Sequence, residues 1–161
     1  MANVENRFCV DKYEGSLVEL SADGSSKPWS AFETPVPEKS YKAVSVAGVV
    51  PQAYISGAQA ENACRAAGKR LCQPVEWRHA CAGSEKLTYP YGPTRVEGKC
   101  NDKGKSPMLV YYPQVAKSWL LVSSADMNDA RLNQMEGTIA KTGEYSSCVN
   151  DYGVYDMVGN V

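Results

Sequence analysis

A chain of 161 residues with 43% hydrophobic residues, 22% charged residues and a net charge of −1 has the composition of one folded domain, not of a disordered segment. The mixed signs give no support to nucleic-acid or membrane-surface binding, and no apolar run approaches the roughly 20 residues that a bilayer span needs. The opening Met-Ala-Asn-Val-Glu-Asn lacks the basic start and apolar core of a signal peptide. Six cysteines without a Cys-x-x-Cys fit disulfides in an oxidising compartment better than cytosolic metal or redox chemistry, so the expectation is an extracytoplasmic chain whose leader has been trimmed.

In chain order, residues 7–20 alternate and carry aromatics, which predicts one or two strands. Residues 21–39 hold Asp23-Gly24-Ser25-Ser26 and three prolines and read as loop, pinned to the core by Trp29 and Phe32. Residues 41–50 alternate weakly and predict a further strand. The best-defined stretch follows. Ser56 with Gln59 three residues on forms a capping box, and Ala60, Ala63, Cys64 and Ala67 line one face of the helix it starts. Gly68 stops that helix, Lys69-Arg70-Leu71 crosses, and Pro74 opens a second helix whose inner face is Trp77, Ala80 and Cys81. Residues 83–124 are turn-rich, with tyrosines and Trp119 as loop anchors and little regular structure.

Candidate chemistry is sparse. His79 is the only histidine, which rules out a histidine-rich metal site or a two-imidazole catalytic set within the chain. Cys72, after Lys69-Arg70, and Cys81, near His79, have basic neighbours of the kind that activate a thiol, but structural pairing is the expectation for both. Arg70 is expected to pair with Glu76 or Asp156. Asn128-Asp129-Ala130-Arg131-Leu132-Asn133 is a polar cluster that reads either as an oxygen-ligand loop or as a solvated turn. Six cysteines allow fifteen complete pairings, which sequence alone does not resolve.

Four motifs carry a family resemblance. Gly68-Lys69-Arg70-Leu71 followed by Glu76-Trp77 resembles the Ala-Gly-Lys-Arg-Leu-Pro-Thr-Glu-Ala-Glu-Trp signature of the formylglycine-generating enzyme, or sulfatase-modifying-factor, family. Phe8-Cys9-Val10-Asp11-Lys12-Tyr13-Glu14 is similar to its opening strand, and Tyr89-Pro90-Tyr91-Gly92 to its Tyr-Pro-Trp-Gly. Gly153-Val154-Tyr155-Asp156-Met157-Val158-Gly159-Asn160-Val161 is similar to the start of its Gly-Leu-Tyr-Asp-Met-x-Gly-Asn-Val-Trp-Glu-Trp. The resemblance weakens over residues 105–125.

The resemblance implies an α+β, C-type-lectin-like fold with little regular secondary structure, occupying residues 1–161 as one domain that is C-terminally incomplete. It implies a parent activity, oxidation of a sulfatase cysteine to formylglycine with oxygen and copper. The reactive cysteines and their copper belong to the family's C-terminal portion, so this chain alone is expected to be inactive. A C-terminal fragment or second chain would complete it. The alternative is a non-catalytic module of the same fold, binding a protein or peptide ligand. Cys64 and Cys81 match positions whose disulfide partners lie in that C-terminal portion, which leaves Cys9 with Cys72 and Cys100 with Cys148 as the preferred pairs. Family calcium loops map onto Asn101 and Asp102 and onto Val158, Gly159 and Val161; read as an oxygen-ligand loop, the 128–133 cluster would complete the first of these with Asp129. Cys72 departs from the proline usual in the family and reads, with Cys9, as an added disulfide.

Overall fold

Strands form first as a hairpin. In the computed structural model, which describes residues 1–160, β1 (Ala2–Val4) pairs antiparallel with β2 (Phe8–Val10), Asn3 opposite Cys9. Glu5 and Asn6 both take positive φ, as a tight right-twisted hairpin turn requires, and the Asn6 amide donates to Asn3 Oδ1 at 3.0 Å. Val4 is fully buried.

A second antiparallel sheet has the order β4 (Ser26–Pro28), β3 (Gly15–Leu20), β5 (Ser40–Ser45), with Leu17 opposite Ala43 and Val18 opposite Pro28. Of the one or two strands expected in residues 7–20, two form, β2 and β3. The expected loop does contain the short strand β4, with Pro28 at its end on the edge of the sheet, where a missing N–H does no harm. Trp29 pins it as expected. Its indole donates to the Glu33 carbonyl at 3.0 Å, meets Tyr41 edge-on and carries the Lys39 ammonium over its ring. Leu17 is buried on the inner face, where helix α1 (Gly57–Ala66) packs against β5.

Helix α1 has the predicted ends. Ser56 Oγ accepts from the Gln59 amide, and Gln59 Oε1 accepts from the Ser56 amide at 2.9 Å. At the other end the Lys69 amide bonds the Cys64 carbonyl and the Gly68 amide bonds the Arg65 carbonyl, both at 2.9 Å. This double closure needs the left-handed conformation that Gly68 supplies with φ +69°. Pro74 then starts α2 (Pro74–Ala82), and Glu76 Oε2 accepts from the Gln73 amide at 2.8 Å. Ala80 is fully buried and Cys81 half-buried, but Trp77 is 50% exposed. The expected inward Trp77 is thus corrected. Three positions before Ala80, it falls to the side of a helix whose buried stripe is narrow.

Residues 83–127 contain only short pieces: α3 (Pro107–Tyr111), two 3₁₀ turns (Pro113–Ala116 and Trp119–Leu121) and α4 (Ser124–Met127). The molecule has both helices and antiparallel sheets, an α+β arrangement.

Candidate functional site

Two of the loops carrying predicted oxygen ligands, at Asn101 and at residues 158–160, meet around one disulfide and one asparagine. Cys100 and Cys148 are bonded, with Cα atoms 4.8 Å apart, and both are fully buried. This is one of the two expected pairs. It fixes Asn101 beside the terminal motif, where Asn101 and Gly159 form an isolated parallel bridge. Gly159 has φ +78°, and a Cβ there would overlap the Asn101 carbonyl oxygen, so only glycine fits the crossing.

Asn160 then ties four segments together. Its Oδ1 accepts from Asn101 Nδ2 at 3.0 Å and from the Ala140 amide at 2.8 Å. Its Nδ2 donates to Glu14 Oε2 at 2.5 Å and to the Ala140 carbonyl at 3.2 Å. Asn160 sits at φ +76°, a region that asparagine tolerates better than most residues. Asn101 Nδ2 also donates to the Thr138 carbonyl at 2.9 Å, so its amide orientation is set and Oδ1 points away from both acceptors. Residues 138 and 140 carried no signal in the sequence, because backbone atoms play their part, and Glu14 lay in a recognised motif with nothing to link it to Asn160.

The flanking contacts are equally specific. Tyr13 stacks on Tyr155 with ring centroids 5.0 Å apart, and the Tyr155 amide donates to the Lys12 carbonyl at 2.8 Å. Asp156 Oδ2 accepts from the Gly143 amide at 2.6 Å, and burial pushes the Asp156 carboxyl above its ordinary range. Asn150 holds α2 to the same region. Its Nδ2 donates to the Ala80 carbonyl and its Oδ1 accepts from the Tyr152 and Val154 amides, both at 3.1 Å.

The calcium candidates separate on this geometry. Asp102 Oδ2 is bonded by Arg95 Nε at 2.8 Å, which holds the carboxyl below its usual value, while Asp102 Oδ1 is buried with no partner. That orphaned oxygen and Asn101 Oδ1 are the side-chain atoms here that suit a hard cation. Asp129 is engaged elsewhere. Tyr112 donates its hydroxyl to it at 2.6 Å and Arg131, two residues on, bonds it directly, which drives its pKa down. Nothing joins it to Asn101 or Asp102 among the described residues; the guanidinium nearest in sequence has taken its charge. The Val158 carbonyl lies 3.9 Å from Cys148 Sγ, Gly159 is at the Asn101 bridge, and Val161 lies outside the described residues. Among the described residues no group of three or more His, Cys, Asp or Glu could hold a metal ion, so a cation here would have the Asp102 carboxylate and otherwise amide and backbone oxygens.

A second concavity lies between β2, the start of β3 and the Gly68-to-Cys72 link. It encloses about 650 Å³ and is lined by Phe8, Leu17, Ile55 and the thiols of Cys9, Cys64 and Cys72. Lys69 Nζ bonds both oxygens of Asp11 at 2.8 Å, so the link does run beside β2. Cys9 and Cys72 are nonetheless unbonded, a correction to the expected pair. Both residues are exposed, and the ion pair, not sulfur, holds the link to the strand. Arg70 forks onto Glu76 with two bonds of 2.6 Å, bringing the Glu76 pKa to about 2. Of the two expected partners, Arg70 therefore takes Glu76. His79 is half-buried against Glu5 at 3.3 Å.

The thiols of Cys64, Cys72 and Cys81 are not activated. Burial pushes Cys64, Cys72 and Cys81 up, with Asp11 adding at Cys64 and Glu76 at Cys72. Cys81 Sγ lies 3.8 Å from the Met157 carbonyl, between α2 and the terminal motif.

The sulfatase-modifying factor enzyme 1-like domain family matches residues 6–161, nearly the whole chain. The chain belongs to this family. No curated protein and no solved structure matches it. The match runs through all four motifs of this sulfatase-modifying-factor domain. Within the matched residues, Cys100, Asn101 and the terminal motif at 153–160 are brought together by the disulfide and Asn160.

Proposed function

We propose that this chain is the N-terminal and central part of a sulfatase-modifying-factor domain with the C-type-lectin-like fold of that family. In this reading a C-terminal portion or second chain supplies the reactive cysteines and copper that oxidise a sulfatase cysteine to formylglycine. The observation that carries it is the state of this chain's own thiols. Cys100 and Cys148 are spent in a disulfide, and burial raises Cys64, Cys72 and Cys81, the opposite of what a nucleophile or thiolate ligand needs. These sulfurs are structural, with Cys64 and Cys81 reserved for partners from the completing portion. Copper, when bound there, supplies the activation of oxygen. The buried disulfide supports an extracytoplasmic location.

Calcium belongs to the same proposal. Asn101 Oδ1, the orphaned Asp102 Oδ1 and backbone oxygens of the loop at Val158, Gly159 and Val161 would hold it, with Asp129 contributing only if released by Arg131. A second reading is a non-catalytic binding module for a protein or peptide ligand, favoured by the 650 Å³ cavity beneath β2, which is of the size that takes ligands.

The deciding assay incubates the chain with a cysteine-containing sulfatase peptide, oxygen and Cu(I), alone and with a C-terminal portion added. Aldehyde formation only in the second mixture is expected. Aldehyde formed by the chain alone would refute the proposal, and none in either mixture would leave the binding module.

A further inference from the structure

A net charge of −1 conceals a local imbalance. Residues 103–125 contain Lys103, Lys105 and Lys117 and no acidic residue at all. The three lysines are exposed and none is in an ion pair among the described residues, whereas Lys69, Arg70, Arg95 and Arg131 each hold a carboxylate.

The same stretch turns its apolar side chains outward. Helix α3 packs on the first 3₁₀ turn and that turn on the second, and Val115 of the middle piece is buried. Leu109, Val110, Trp119 and Leu121 are each about half exposed or more, and Leu120 is 94% exposed. An isolated exposed leucine is unremarkable, but an exposed run of Trp-Leu-Leu, with two more exposed aliphatic side chains in the helix that packs on the same 3₁₀ turn, marks a surface that meets something apolar.

We propose that this face is a peripheral membrane-docking surface that sits on an anionic lipid bilayer. The charge complementarity decides the occupant. Three unpaired lysines with no intervening acid suit phosphate headgroups, tryptophan favours the boundary between headgroup and acyl chain, and the leucines enter the hydrocarbon edge. No helix of the described residues is long and apolar enough to cross a membrane, so the attachment is superficial. It is independent of copper, calcium and any sulfatase peptide, and so goes beyond the function proposed above.

The test is co-sedimentation of the full protein, in EDTA, with phosphatidylcholine vesicles with and without phosphatidylglycerol. Retention on the anionic vesicles is expected, weakening as salt is added. Leu120→Glu should lower it roughly tenfold or more, because the side chain that would be buried becomes an acid. Replacing Lys103, Lys105 and Lys117 with Gln should lower it about fivefold per lysine. Leu120 is so exposed that its replacement has no packing to disturb, and circular dichroism checks this. No retention on anionic vesicles, or retention unchanged in Leu120→Glu, overturns the proposal. So does a concentration-dependent dimer abolished by Leu120→Glu in a protein that ignores vesicles, since the face would then join two copies of this chain.

Discussion

Removing the Asn160 side chain is the sharpest test of the candidate site. Asn160→Ala deletes four hydrogen bonds, to Asn101, Glu14 and both backbone groups of Ala140, a residue only 8% exposed. At about 1 kcal/mol net for each, and with a discount for the ends that reach water, the loss is about 3 kcal/mol. Alanine at φ +76° adds about 1 kcal/mol. With a urea dependence of about 2 kcal/mol per molar, the unfolding midpoint should fall by about 2 M. Asn160→Gly removes the bonds without the backbone strain and should fall about 1 kcal/mol less far. The same variants should weaken the calcium binding proposed above, read by isothermal titration, because Asn101 Oδ1 loses the anchor that aims it. A midpoint that moves by less than about 0.3 M would show that Asn160 is not what holds the four segments.

Gly159→Ala should cost about 2 to 5 kcal/mol, since its Cβ would meet the Asn101 carbonyl at an unfavourable φ. Gly137→Ala, at φ +76° in open space, should cost only about 1 to 2 kcal/mol, and equal losses by thermal melting would refute the crowding argument. Cys100→Ala with Cys148→Ala should lose about 4 kcal/mol, the entropy of closing a loop with a sequence separation of 48, measured by denaturant unfolding. Glu76, at about 2 when folded against 4.5 as a free side chain, contributes stability that is fully present above pH 4.5 and lost as pH falls towards 2. Arg70→Gln should flatten that part of the pH–stability profile, and an unchanged slope would show that the fork does not set the Glu76 pKa.

Local rules carried well and long-range ones did not. Helix α1 was legible from Ser56, Gln59 and Gly68 because each acts on backbone within four residues of itself. Pro74 was legible for the same reason, while Glu76, six residues from Arg70, was one of two partners that the sequence left open. Strand β1 and strand β4 were not, since three residues with a partner elsewhere leave no periodicity. Trp77 misled because helical spacing gives a face but not its width. The Cys100 to Cys148 bond came from the family resemblance, and the unbonded Cys9 and Cys72 show the limit of that source. Asp129 was open to either of two readings, and a guanidinium two residues away settled which groups it meets. Asn160 lay inside a recognised motif, yet its role depends on Glu14 and Ala140, which no pattern in the chain connects to it.

The buried Cys100 to Cys148 bond also changes what a cut would do. Everything between these two residues, including the exposed Trp119 surface, is a loop fastened at both ends. A protease that nicked it would separate no fragment until the bond was reduced, and reduction of a fully buried disulfide requires the fold to open first. The exposed part of that excursion, around Trp119 to Leu121, is therefore free to change, lengthen or acquire a new surface while the two anchored ends keep the Asn101 and Gly159 crossing in register.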